Sequence, residues 1–237
     1  MIAVVEHVQR LTPRMIRIVF GGEGLAGFGA GEFTDHYVKL RIGERTRTYT
    51  VRDWDGERLT IDFVVHGDEG VAGPWAAAAT PGDTLELRGP GGAYAPDPDA
   101  DWHLMVGDPS VVPAISASLA RVPEGRLVHV LLQGDGPEDE QPLESPGDLR
   151  VQWLHGGDDE SLADAVRSLE WPEGDVHVFV HGEASAVRAL RRHLLAERGL
   201  PRASVSISGY WKRKRTEEGW REDKPEWNRL VELDAAA

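Results

Sequence analysis

The hydrophobic period of the chain changes at one place, and that change limits the fold more than any other feature. The segment GPGGAYAPDPDADW, residues 89–102, gathers the glycine, proline and aspartate of a linker. Before it, in residues 15–20, 37–42 and 59–65, apolar side chains recur at every second position, as in half-buried antiparallel strands. One Ala-rich piece, residues 74–79, reads as a short helix with Pro74 at its first position. The first part is therefore a small barrel or sandwich that includes one helix. After the linker, apolar runs at 103–106, 127–132, 149–154, 176–180 and 205–207 alternate with helical stretches at 112–121, 161–169 and 184–198. That alternation predicts a parallel sheet of βαβ units. A boundary near residue 97 divides the chain into domains over 1–97 and 98–237. The tail from Gly209 is basic and then Trp-containing, with no partner in the pattern.

Composition narrows the chemistry. With 237 residues, 41% of them hydrophobic, the chain is long enough to bury a core. Lys and Arg total 26 against 40 Asp and Glu, a formal charge of -14, which opposes binding to nucleic acid. There is no cysteine, so disulfides, thiolate nucleophiles, Cys-ligated zinc and all-Cys iron–sulfur clusters are excluded. Redox chemistry has to come from a bound organic cofactor or a non-thiolate metal. The nine His residues show no H-E-x-x-H motif, and no protein-built metal site is expected. G-x-S-x-G is absent as well. The opening residues alternate like a strand rather than a signal peptide, and no apolar run is long enough to span a bilayer, so we expect a soluble cytoplasmic protein with no membrane insertion.

Five short blocks carry candidate chemistry. Arg47-Thr48-Tyr49-Thr50 puts a cation and an aromatic ring on one strand face beside a hydroxyl, the set that a flavin ring and pyrophosphate need. An ordinary strand, with Tyr toward the core and Arg in water, also satisfies these residues. Asp62 to Gly67, through Val65 and His66, leads to the glycine-bearing turn at Gly70 and into the short helix, whose first N–H groups suit a pyrophosphate. A plain strand–turn–helix connection fits equally. Gly107-Asp108, with Pro113 beyond, follows a strand and opens a helix, where a parallel sheet offers its ligand crevice or a simple βα turn. No G-x-G-x-x-G accompanies it. His181-Gly182-Glu183-Ala184 ends another strand, and Glu183 near a helix dipole accounts for it structurally. Finally, Lys212-Arg213-Lys214-Arg215 follows Gly209-Tyr210-Trp211: a cationic patch for an anion, or a solvated charge run.

Taken in order, RTYTVRDWD, IDFVVHGDEGVAGPWAAAATPGD with GPGG after it, WHLMVGDPSVVPAI, HGEA and ISGYWKRKR resemble the siderophore-interacting proteins, flavin-dependent ferric-siderophore reductases related to the ferredoxin reductases. The resemblance spans nearly the whole chain. It implies an N-terminal antiparallel, Greek-key-like β-barrel holding FAD and a C-terminal parallel α/β domain holding NADPH or NADH. It places Arg47 at the FAD pyrophosphate, Tyr49 on the ring face and Thr50 at the N5 edge, with Tyr49 and Thr50 nearest the reaction. Asp62, Val65, His66 and Gly67 would line the FAD site, Ala72 and Gly73 would offer N–H groups to the pyrophosphate, and Trp75 would pack beneath. Gly107, Asp108, Pro113, Gly182, Glu183, Trp211, Lys212 and Arg213 would meet the nicotinamide nucleotide. The chain departs from the family pattern with Val71 for Pro, Gly73 for Ser and His181 for Ala. The implied reaction passes a hydride from NAD(P)H to FAD and electrons onward to Fe(III) in a siderophore. A non-catalytic siderophore carrier and a general NAD(P)H:flavin oxidoreductase are the other readings. The sequence does not fix the oligomeric state.

Overall fold

The computed structural model comprises two compact units, and residues 1–65 and 70–234 are described. The first unit gathers Met1–Pro96, Val112–Arg121 and Glu138–Glu144; the second gathers Asp97–Val111, Val122–Pro137 and Ser145–Ala237. The chain first passes from one to the other between Pro96 and Asp97.

The first unit is built on seven antiparallel strands: β1 (Ile2–Thr12), β2 (Met15–Gly21), β3 (Tyr37–Ile42), β4 (Arg45–Thr50), β5 (Asp53–Trp54), β6 (Leu59–Val64) and β7 (Thr84–Gly91). Their order in the sheet is β4-β3-β7-β1-β2-β6-β5. β4 and β5 stand at opposite ends of that order although only Val51 and Arg52 separate them, so the sheet must curl until its ends meet. The Arg52 N–H accordingly donates to the Thr60 carbonyl at 2.9 Å, and the Tyr49 ring of β4 lies 4.6 Å from Phe63 of β6. Period-2 alternation turns Ile16, Ile18 and Phe20, Val38 and Leu40, and Leu59, Ile61 and Phe63 into one buried core. Each such side chain contributes roughly 1.5–3 kcal/mol on burial.

Helix α1 (Ala72–Ala78) starts two residues earlier than the sequence suggests. Pro74 is thus its third residue rather than its first, still within the turn whose N–H groups have no helical partner. Trp75 stacks on Phe20 at 6.3 Å, fixing the helix to β2. Helix α2 (Val112–Leu119) also belongs to this unit, where Ser118 Oγ lies 2.8 Å from Thr34 Oγ1. Residues 138–144 are held by Arg14, which donates to the buried Asp139 carboxylate at 2.7 Å.

The second unit is a five-stranded parallel sheet of β8 (Trp102–Gly107), β9 (Leu127–Gly134), β10 (Asp148–His155), β11 (Val176–Glu183) and β12 (Val205–Trp211), ordered β10-β9-β8-β11-β12. Every residue of β8 is buried, as a central parallel strand requires. The chain winds outward from β8 to β10 and then resumes on the other side with β11. The sheet therefore changes direction between β8 and β11, the kind of switch point at whose strand carboxyl ends open α/β sheets bind ligands. Helices α3 (Ser161–Ser168) and α4 (Ala184–Arg191) follow, α4 continuing as a π-helical turn over Arg192–Glu197. The tail without an evident partner becomes the end of β12 and helix α5 (Glu217–Asp234). Trp220, Trp227 and Val231 of α5 join the unit's core. No helix among the described residues is long and apolar enough to cross a membrane.

Candidate functional site

On the first unit, β4 presents the expected alternation. Thr46 and Thr48 are exposed, Arg47 and Tyr49 are half-buried on one face, and Thr50 is buried. Tyr49 rests on Phe63, and Phe63 in turn lies 5.7 Å from Trp75. This aromatic cluster fixes the plane of the Tyr49 ring while leaving the residue partly open, and Trp75 packs on Phe63 and Phe20. Asp62 behaves differently. Both its oxygens accept hydrogen bonds from Arg17, Nε to Oδ1 and Nη2 to Oδ2, each at 2.7 Å, across the β2–β6 pair. That bond raises the Arg17 pKa, and Asp62, 3% exposed, holds the guanidinium of its neighbour. Val65 is half-buried, and its N–H donates to the Arg14 carbonyl at 2.8 Å. His66 and Gly67 lie outside the described residues. Ala72 and Gly73 are the first two residues of α1 and are buried.

Arg52, two residues past Thr50, was not singled out by sequence. Its half-buried guanidinium makes no hydrogen bond among the described residues. Burial lowers its pKa, and the nearby Arg17 lowers it further against the pull of Asp62, Asp53 and Glu144. A sheltered cation so placed suits an anionic ligand.

On the second unit, the matched residues converge at the switch point as a hydrogen-bonded hub. Asp108, at the end of β8, accepts from the Ser110 N–H at 2.9 Å and the Ser110 hydroxyl at 2.6 Å through Oδ1. Its Oδ2 accepts from the Glu183 N–H at 2.7 Å and from Trp211 Nε1 at 3.0 Å. One buried carboxylate thus joins the ends of β8, β11 and β12. Burial raises its pKa while these four donors pull it down. Glycine is required on both sides. A Cβ at Gly107 would stand 2.7 Å from the His181 carbonyl oxygen, and one at Gly182, whose φ is 130°, would fall closer still to Asp108 Oδ2.

Glu183 caps α4: Oε2 accepts from the N–H groups of Ser185 and Ala186 at 2.6 and 3.1 Å, and Oε1 from the Arg213 N–H at 3.0 Å. The carboxylates of Asp108 and Glu183 are therefore engaged within the protein. What the hub leaves for a ligand is backbone at the strand ends and the side chains of Trp211, which is exposed, and Lys212, which is half-buried. Arg213 pairs with Asp159 at 3.4 Å. Pro113 lies on α2 and so groups with the first unit.

His181 stacks on Phe179 with centroids 3.9 Å apart, and its Nε2 meets Ser206 Oγ at 3.0 Å. Burial pushes its pKa down to about 3, with repulsion from Lys224 in the same direction, so the ring is neutral at ordinary pH. His177 and His181 are four residues apart, but on strand β11 that spacing separates them by about 13 Å, too far for one metal ion. The sequence reading also missed α5. Trp220, Lys224, Trp227 and Val231 recur at helical spacing, a signal hidden by the surrounding charge and by Pro225 inside the helix.

Comparison with known proteins places this arrangement. Residues 100–214 match the profile "Siderophore-interacting protein", and residues 4–45 and 43–94 match "Siderophore-interacting FAD-binding domain". The chain belongs to the siderophore-interacting protein family. Among its relatives is the ferric vibriobactin reductase ViuB of Vibrio cholerae, 34% identical over 90% of this chain and 90% of that protein. The NADPH-dependent ferric-chelate reductase of Escherichia coli is 30% identical over 88% of this chain and 91% of its own length. The crystal structure of the siderophore-interacting protein SipS from Aeromonas hydrophila superposes with a TM-score of 0.85 at 28% identity, covering 95% and 96% of the two chains. The ferredoxin reductase of a carbazole 1,9a-dioxygenase, at 19% identity and a TM-score of 0.70, shares the fold. As a siderophore-interacting protein, then, the chain carries an FAD-binding domain in its first unit, and its ferric reductase relatives mark it as an oxidoreductase.

Proposed function

We propose that this chain is a ferric-siderophore reductase that binds FAD on its first unit and takes electrons from NAD(P)H bound at the crevice of its second. The observation that carries the reading is strand β4, with Tyr49 held half-open on an aromatic cluster, Arg47 on the same face and Thr50 at the strand end, within a domain matched to FAD binding. The sheltered Arg52 supports the fit, since an anionic pyrophosphate would relieve a half-buried cation that has no hydrogen-bonding partner among the described residues.

FAD supplies the conversion of a two-electron donor into single-electron delivery. This chain's residues supply position and charge. Tyr49, resting on Phe63 and through it on Trp75, would fix the plane of a ring laid against it, and the Thr50 hydroxyl would hydrogen-bond the ring edge. Arg47 and the first-turn N–H groups of Ala72 and Gly73 hold the pyrophosphate. Gly73 in place of a Ser removes one hydroxyl contact, worth about 0.5–1.5 kcal/mol. On the second unit, the Asp108 hub keeps the ends of β8, β11 and β12 in register, and backbone at Gly107 and Gly182 would face a nicotinamide nucleotide bound there. Trp211 and Lys212 then meet it with their side chains. The relatives' names, ferric vibriobactin reductase and NADPH-dependent ferric-chelate reductase, support Fe(III) in an organic chelate as the acceptor.

The test is turnover. With FAD and NADPH, the protein is expected to form Fe(II), trapped by a chromogenic chelator, from a ferric siderophore faster than it reduces free flavin. Flavin reduction without chelate-dependent Fe(II) would reject the siderophore as substrate.

A further inference from the structure

A tryptophan near a protein surface ordinarily buries its ring and turns its polar tip to water. Trp211 does the reverse. It is 37% exposed, while the other seven tryptophans of the chain are buried or half-buried. Its indole N–H is nonetheless turned inward, donating at 3.0 Å to Oδ2 of Asp108, a residue only 8% exposed. Trp102 and Trp220, 1% and 3% exposed, have no hydrogen-bond partner for Nε1 among the described residues. The chain thus spends an acceptor on the one indole that water could have served, and what that side chain offers to solvent is apolar ring. Two features hold the ring in place. β11 and β12 keep register up to Gly182 opposite Gly209 and then slip by one residue, so that Glu183 faces Trp211 and Tyr210 is the extra residue. Such a bulge re-aims the side chain that follows it. Asp108 then reaches from the end of β8, across β11, to fix the indole by its N–H. The neighbours leave the ring bare. Tyr210 packs against His181, Lys212 stands 5.9 Å from the Trp220 ring, and no aromatic ring or cation rests on Trp211 among the described residues.

We infer that the Trp211 ring is a stacking platform for an aromatic ring of the nicotinamide nucleotide, and that Asp108 is the residue that positions it. A fixed aromatic face with no protein partner suits a second flat ring, because stacking needs only a π-face on each side. The platform stands at the carboxyl end of β12, beside the switch point between β8 and β11, where open α/β sheets take nucleotides. Locking the indole before the ligand arrives removes the rotamer entropy that stacking would otherwise cost. The nucleotide has two such rings, the nicotinamide and the adenine, and both present the same chemistry to an indole. The inference rests on the nucleotide reading proposed above and adds to it the contact and the residue that sets its geometry.

Calorimetric titration of the full-length protein with NADP⁺, read alongside tryptophan fluorescence, tests the assignment. Trp211→Leu is expected to weaken NADP⁺ binding about tenfold, while Trp211→Phe, which keeps an aromatic face, stays within about threefold of wild type. The share of the emission that Trp211→Phe removes is the share that bound NADP⁺ is expected to quench. Asp108→Asn is expected to weaken binding about threefold in the wild type and to have no further effect in the Trp211→Leu background, a coupling that a general loss of stability would not produce. Nicotinamide mononucleotide and adenosine 2′,5′-bisphosphate, titrated separately, show which ring is stacked, since that fragment alone loses affinity in Trp211→Leu. Circular dichroism and thermal melts establish that the variants are folded, and if Asp108→Asn does not fold, the two Trp211 variants decide the platform by themselves. NADP⁺ binding that is equal in wild type and folded Trp211→Leu, without quenching of Trp211, overturns the inference and leaves the nucleotide reading standing. Additive losses in the double variant overturn the positioning role of Asp108. A wild-type protein that binds none of the three ligands overturns the nucleotide reading and the inference with it.

Discussion

The two units use matched residues in opposite ways. On β4 of the first unit, Arg47 and Tyr49 present partly open side chains, and the packing of Tyr49 on Phe63 steadies a surface that a ligand can share. On the second unit, Asp108 and Glu183 are 8% and 5% exposed and spend their oxygens on the ends of three strands, the cap of α4 and the Arg213 backbone. A motif residue can therefore mark a site by touching the ligand or by building the frame that lets backbone touch it. Substitution separates the two roles: the first kind lowers occupancy, the second lowers stability.

The largest expected effect is at the hub. Asp108→Ala leaves the Glu183 N–H, Trp211 Nε1 and the Ser110 donors without their acceptor and is expected to cost about 3 kcal/mol in urea unfolding. A loss below about 1 kcal/mol would break the contrast, because it would mean the carboxylate is held for a ligand rather than for the frame.

A pH series sharpens it. The His181 ring stays neutral in the folded protein down to about pH 3, whereas in the unfolded chain it titrates near its ordinary value of 6.5. Between those values the unfolded chain binds the extra proton, so stability falls as pH is lowered, by up to about 1.4 kcal/mol per pH unit. His181→Ala is expected to flatten this slope between pH 6 and pH 4; parallel curves for the two proteins would contradict a buried neutral imidazole.

Tyr49→Ala is expected to weaken FAD binding about tenfold, equivalent to about 1.4 kcal/mol, as read by flavin absorbance after gel filtration. Unchanged flavin occupancy would remove the ring face from the site. The smallest effect belongs to the cap, where Glu183→Ala is expected to cost about 1 kcal/mol in thermal unfolding. A change confined to nucleotide binding there would move Glu183 from frame to contact.

What was legible in the sequence follows the same division. Periodicity gave the antiparallel strands and the βαβ alternation, because burial on one or two faces writes directly into residue spacing. It gave α1 two residues late, since Ala72 and Gly73 carry no start signal and Pro74 carries a strong one. It could not give α5, whose Trp220–Trp227–Val231 face is held by tertiary packing through Pro225 against local preference. The Arg47-Tyr49 face was visible because strand neighbours share it by period. The Arg17–Asp62 pair and the Asp108–Glu183–Trp211 hub were not, because their partners lie 45 to 103 residues apart in sequence and meet only through strand register.

The central claim is an electron path from nicotinamide nucleotide through flavin to chelated iron, and an anaerobic absorption spectrum tests it most directly. The FAD-loaded protein is expected to show oxidised flavin, to bleach when NADPH is added, and to recover its colour when a ferric siderophore follows. A spectrum that bleaches but does not recover with the iron chelate, or a protein that retains no flavin when FAD is supplied, would contradict it.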